Sequence, residues 1–344
     1  MSHDRPCSDC TDSSEVSRRK FIKTAGAAAV AVGAVPLVAR GDAKIPADAP
    51  PETVTKLLYE SLSDPQKKAI CFAWDHTEPK RGLLRTRISN NWNITEQMIG
   101  SDFYTSDQQA MIKHIFESIV SPEWHKRIYK QLEDDAGGYG EAQSIALFGT
   151  PGDKFEFVMT GRHMTLRCDG NSNDHVAFGG PIFYGHAAEG FNEKPNHPGN
   201  VFWHQALAAN KVFEMLDEKQ RAAALVDKLP KEEAVAFQGT GGTFPGIRVA
   251  ELSSDQKSLV KEVLNKLVEP YRSSDRDEAI ADLEKQGGLD ACSLAFYRDG
   301  DIGNDKVWDN WRLEGPSFVW YYRGAPHVHV WVNVADDPSV KLNA

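Results

Sequence analysis

Apolar and polar positions alternate strictly in "HVHVWVNV" from His327 to Val334, which predicts a strand with Val328, Val330, Val332 and Val334 on one face. His327, His329, Trp331 and Asn333 take the other face, so two histidines stand side by side. Similar patterning or short apolar runs predict strands in "SIALFG", "KFEFVMTG", "RHMTLRCDG", "VAFGGPIFYG", "WRLEG" and "SFVWYYRG". Helix starts are marked differently. Ser63, Thr105, Asp217 and Ser253 each precede a glutamine by three residues, the spacing of a capping box that satisfies free amides at a helix N-terminus. Further helices fit "SPEWHKRIYKQLEDD", with Ser121 as cap and Pro122 in the first position, and the run from Phe202 to Leu216.

Short turn-like links between strands, with helices gathered between strand groups, predict an α+β fold around an antiparallel sheet flanked by capped helices. The regular strand–helix alternation of a doubly wound parallel sheet is absent. The recurring caps divide the chain into two similar halves, 57–200 and 201–340, unless good caps simply recur because their chemistry is common. A single domain is expected over 57–340, preceded by a linker over 44–56 rich in proline, alanine and acidic residues.

Before that linker, "SRRKFIK" leads into the small apolar run from Thr24 to Ala39. A paired arginine ahead of a short, alanine-rich stretch reads as a twin-arginine export signal over 1–43, cleaved after Ala39 or Ala43. The alternative is an uncleaved anchor. Export through the twin-arginine machinery implies a periplasmic or extracellular protein and no transmembrane segment in the mature chain. Because that route carries folded proteins, it also favours a group loaded before export.

Composition narrows the chemistry. With 39 basic and 49 acidic side chains the net charge is −10, which disfavours nucleic acid as a partner. Cys7 and Cys10 form a CxxC inside the leader, and Cys71, Cys168 and Cys292 remain beyond it, an odd number that allows one disulfide at most. Phosphate-loop, dinucleotide, zincin-helix and serine-elbow patterns are all missing.

The two strand histidines are the strongest chemical signal. His327 and His329 can reach one metal ion, and His163 in "GRHMTLRC" is the best third ligand, on a face shared with Thr165 and Arg167. Three imidazoles suit zinc, copper or iron, and residue type does not choose among them. The competing reading is a polar face that binds substrate or neighbouring side chains. His186 and Glu189, in a loop rich in glycine and asparagine, are candidates for a further ligand and a general base, and Arg167 for a charged catalytic group. Arg312 and Glu314 are expected to form an ion pair on one sheet face.

Taken in order, "FGTPGDKFEFVMTGRHMTL", "GGPIFYG", "EGPSFVWYY" and the final HxH followed by tryptophan resemble the bacterial family catalogued as domain of unknown function number three thousand five hundred. The resemblance runs from about Leu57 to Asp337. It implies domain extent more than mechanism. The usual family pattern has histidine where this chain has Arg162, so that the resemblance offers His186 as a compensating ligand. On this basis the expected protein is an exported metal-dependent enzyme, hydrolytic or oxidative, acting on a small molecule. The alternative is a non-catalytic periplasmic protein that binds a small molecule or metal.

Overall fold

The computed structural model describes residues 45–46, 48–170, 172–190, 197, 199–303, 305–340 and 342, so the signal expected over 1–43 lies outside the described residues. The first half of the chain supplies helices α1 (Pro51–Ser61), α2 (Asp64–Ile70), α3 (Ser106–Ile119) and α4 (His125–Ala136). Its strands are β1 (Cys71–Phe72), β2 (Thr77–Glu78), β3 (Gly82–Leu83), β4 (Ser144–Gly149), β5 (Phe155–Gly161), β6 (Met164–Cys168) and β7 (Ile182–His186). The second half supplies helices α5 (Trp203–Met215), α6 (Glu218–Ala224), α7 (Ser254–Val268) and α8 (Ser273–Lys285). Strands β8 (Leu225–Val226), β9 (Ile247–Arg248), β10 (Ser293–Tyr297), β11 (Asn310–Gly315), β12 (Phe318–Arg323) and β13 (Val328–Val334) complete it.

Eleven of these strands form one mixed, mostly antiparallel sheet, so the protein is α+β. Its main path runs β1-β4-β5-β6-β7-β13-β12-β11-β10-β8, with β9 attached to β10. The order is mirrored about the β7·β13 seam. On each side a two-residue outer strand pairs parallel with its neighbour, and a four-stranded antiparallel meander follows. The two meanders meet antiparallel at the centre, with Val328 opposite His186 and His329 opposite Gly185.

The caps form where the spacing places them. Ser63, Thr105, Asp217 and Ser253 each accept the amide of the glutamine three residues on, and each glutamine returns a bond to the cap's own amide. The glutamines also pair across helices. Gln66 and Gln108 exchange side-chain bonds at 2.8 and 3.2 Å, and Gln220 and Gln256 do the same at 3.1 and 2.8 Å.

Several local expectations are corrected. Ser121 does not cap a helix: it bonds Glu123, and Pro122–Trp124 is a 3₁₀ turn before α4 begins. Strand β10 was not expected, because "SLAFY" has no alternation; all five residues are buried, so apolar faces occur on both sides. The same holds for β13, where every residue is buried rather than only the valines. Trp331 packs with Phe183 and Tyr321 beneath Ile88 and Val235, which come from the irregular segments that follow α2 and α6. Cys71, Cys168 and Cys292 are all free thiols.

Candidate metal centre

His163 does not lie on a strand face as the pattern of "RHMTLRC" predicts. It sits in the tight turn between β5 and β6 with φ of +54°, outside the strand that starts at Met164. Left-handed backbone is uncommon for a residue with a Cβ, so the surroundings must hold it. They do so from both sides: the His163 amide donates to the Asn90 carbonyl at 2.9 Å, and its carbonyl accepts from Gly185 at 3.2 Å. Glycine is required at 185, because a Cβ there would stand 2.3 Å from the Val328 carbonyl oxygen and 3.4 Å from the Cβ of His163. His327 immediately precedes β13, and His329 is its second residue.

These placements gather the three imidazoles. One nitrogen of each of His163, His327 and His329 lies within 4.8 Å of the others, and each residue is about 1% exposed. Ring centroids are 4.6 to 5.0 Å apart. Among the described residues this is the one group of three or more potential ligands that converges in this way. His163 Nε2 and His329 Nε2 face each other at 3.1 Å, close to the roughly 3.3 Å that two nitrogens span in a tetrahedral zinc site with bonds of about 2.0–2.1 Å.

The far sides of both rings are fixed by carboxylates. His163 Nδ1 is 2.9 Å from Asp135 Oδ2, and His329 Nδ1 is 3.0 Å from Glu232 Oε2. Asp135 also accepts from Gln131 at 2.8 Å and from the Ala187 amide at 3.0 Å, bonds that favour its ionised form against the burial that pushes its pKa up. Glu232 pairs with Arg323. With both carboxylates ionised each Nδ1 donates its proton, which leaves each Nε2 with a lone pair. Burial, reinforced by His327, holds the His163 pKa well below that of a free imidazole; burial and His163 do the same to His329. Two neutral imidazoles thus direct lone pairs at each other across 3.1 Å. A cation between them turns that repulsion into ligation, and a carboxylate on the distal nitrogen is the usual support for such a ligand.

Asp135 and Glu232 escape prediction from sequence. Asp135 ends "LEDD" on the last turn of α4, and Glu232 lies in the irregular segment after β8; no spacing links either to a histidine. The acidic pair in the last turn of the amphipathic α4 was the available signal for the first. For the second there was none.

The other site candidates take different positions. His186 is buried in β7, but its Nε2 bonds Asp134 at 2.9 Å and its Nδ1 accepts the Val201 amide at 3.1 Å, so both ring nitrogens are engaged outside the trio. Arg167 is wholly enclosed. It donates to the carbonyls of Pro181 and Arg87 at 2.6 and 2.8 Å, to that of Arg85, and to Glu156 at 2.8 Å. A buried guanidinium has to satisfy its donors, and this one does so on backbone and on Glu156, which also pairs with Arg85 at 2.7 Å. Arg167 thereby ties β6 to the segment around residues 85–87. Glu189 is largely exposed, bonded to His197 at 2.9 Å, and borders an open depression with Asp134, Asp135, Arg162 and Ala187. Arg162 approaches Asp135 at 3.9 Å and so lies beyond the ligand shell. Arg312 and Glu314 form the expected pair at 2.7 Å.

A family model described as "Protein of unknown function (DUF3500)" matches residues 48–333. Neither a curated protein nor a solved structure matches the chain. None of the described helices is long and apolar enough to cross a membrane.

Proposed function

The chain belongs to the DUF3500 family, and on the geometry of its buried site we propose that it is an exported metal-dependent enzyme acting on a small molecule. His163, His327 and His329 are the ligands, and Asp135 and Glu232 orient them. The observation that carries this reading is the convergence of the three imidazoles, with the Nε2 atoms of His163 and His329 3.1 Å apart and a carboxylate on the opposite nitrogen of each. Imidazole donors suit zinc, copper or iron, and three of them leave a position for water or substrate. Bound there, such an ion supplies Lewis acidity for hydrolysis, or electrons if it is copper or iron. Glu189 and Arg162, on the depression that reaches Asp135, are the groups placed to meet a polar substrate on its way in. The paired-arginine leader supports export.

The near-complete burial of all three imidazoles favours a second reading, a non-catalytic metal-binding protein. Metal analysis of the protein purified from its native export route tests the common premise. One equivalent of transition metal is expected, lost in His329→Ala; a metal-free protein that takes up neither Zn²⁺, Cu²⁺ nor Co²⁺ overturns it. The Co²⁺ form then separates the two readings. A visible spectrum that changes on adding azide shows an open position, whereas an unresponsive spectrum favours the binding protein.

A further inference from the structure

The mirrored halves of the sheet differ at positions that their registers make equivalent. "SIALF" of β4 and "SLAFY" of β10 both begin with serine and carry alanine third. Ser144 and Ala146 of β4 stand opposite Thr160 and Val158 of β5, whereas Ser293 and Ala295 of β10 stand opposite Glu314 and Arg312 of β11. Phe148, Val158 and Thr160 of the first half thus correspond to Tyr297, Arg312 and Glu314 of the second. Phe148 and Val158 pack with Leu84 and Ile94, which come from the segment after α2. The segment after α6 brings Pro230, Ala234, Ala236 and Pro245 instead, and these small side chains wall an open pocket of about 310 Å³. Tyr297, Arg312 and Glu314 form its floor.

The walls are fixed in place. Tyr321 donates to the Pro230 carbonyl at 3.2 Å, Asn333 to that of Val235 at 2.9 Å, and the Gly239 amide to the Pro316 carbonyl at 2.9 Å. The floor is not satisfied by the fold. Tyr297 is 1% exposed and its hydroxyl has no partner; burial pushes its pKa up, so it keeps its proton. Arg312, 5% exposed, donates from Nη2 to Glu314 at 2.7 Å, but its Nε, shielded from water, has no acceptor. Glu314 Oε1 takes that bond and one from Gln238 at 2.9 Å, out of the roughly four that a carboxylate can accept. Phenylalanine and valine fill the mirrored positions, so packing does not demand tyrosine and arginine here. Buried donors left idle at the floor of a pocket point to a ligand.

We propose that this pocket binds a small neutral polyol, one sugar ring in size, at a site separate from the histidine centre. The ligand's hydroxyls accept from Tyr297 and Arg312 and donate to Glu314, and its C–H faces lie on the prolines and alanines of the walls. Charge sets the class. Arg312 and Glu314 cancel, so an ionised ligand meets a like charge on the floor, whereas a hydroxyl both donates and accepts. Size sets the limit, since the volume is at the small end of the roughly 300–1,000 Å³ of ligand pockets.

The test is a saturation-transfer NMR titration of the full-length protein with glucose, galactose, mannose, xylose, arabinose and myo-inositol at millimolar concentration, beside glucuronate and glucosamine as charged counterparts. At least one neutral compound is expected to bind, and to bind better than either charged one. Tyr297→Phe leaves the side chain that Phe148 presents in the first half, so the variant is expected to melt no lower than the parent protein. It should bind about tenfold more weakly, the scale of one lost hydrogen bond. Ala236→Phe, at the exposed rim, fills the pocket and is expected to abolish binding. The proposal is overturned if no neutral compound binds, if a charged one binds better, or if binding survives both substitutions. A lowered melting temperature in Tyr297→Phe would give the hydroxyl a structural role, and also overturns it.

Discussion

At the scale of single residues, the centre depends on which nitrogen of each imidazole holds its proton. Asp135 and Glu232 decide that from behind the rings, and neither touches the position a metal would take. Asp135→Asn keeps the shape of the side chain but removes the charge that fixes the Nδ1 proton of His163. Loss of such a partner weakens metal binding by about 10–100-fold. The expected outcome is that loss in a competitive chelator titration, with an unchanged circular dichroism spectrum; undiminished affinity would mean the carboxylate has no orienting role. Arg167 shows the opposite lesson. Offered by the sequence as a charged catalytic group on a face shared with His163 and Thr165, it has its donors engaged by Glu156 and three carbonyls.

At the scale of elements, each half is organised by two capped helices whose glutamines do double duty. Gln256 closes its own cap at Ser253, bonds Gln220 of the neighbouring cap, and donates to the Met215 carbonyl at 2.9 Å. Ser253→Ala removes one cap bond and is expected to cost about 0.5–2 kcal/mol in urea unfolding. Gln256→Ala should cost more, since a 6% exposed amide leaves Gln220 and the Met215 carbonyl without its bonds. Equal losses for the two variants would show that the inter-cap pair contributes nothing. The caps also explain why helix starts were read correctly at four positions: a capping box is a local device, complete within four residues.

At the scale of the whole molecule, the centre straddles the mirrored sheet. His163 and Asp135 come from the first half, and His327, His329 and Glu232 from the second. The β7·β13 seam brings them together, with Gly185 opposite His329 allowing the His163 turn to lie close. A metal held by both halves binds the folded state and not the unfolded chain. At a free concentration of 100 times Kd this stabilises the fold by about 2.7 kcal/mol. Adding the metal to stripped protein should therefore raise the melting temperature of one cooperative transition, and His329→Ala should abolish the rise. A rise that survives the substitution would place the metal elsewhere.

The sequence by itself determined the α+β class, the four caps, most strands of the sheet, the membership in DUF3500 and the pairing of His327 with His329. These follow from periodicities and motifs of a few residues, which act locally or as an ordered series along the chain. Tertiary structure alone decided that β10 is a strand buried on both faces, that His163 stands in a left-handed turn, and that Arg167 and His186 are engaged away from the trio. It also supplied Asp135 and Glu232. Long-range strand pairing chooses neighbours across more than a hundred residues, and the identity of a side chain's partner is fixed only when that pairing closes.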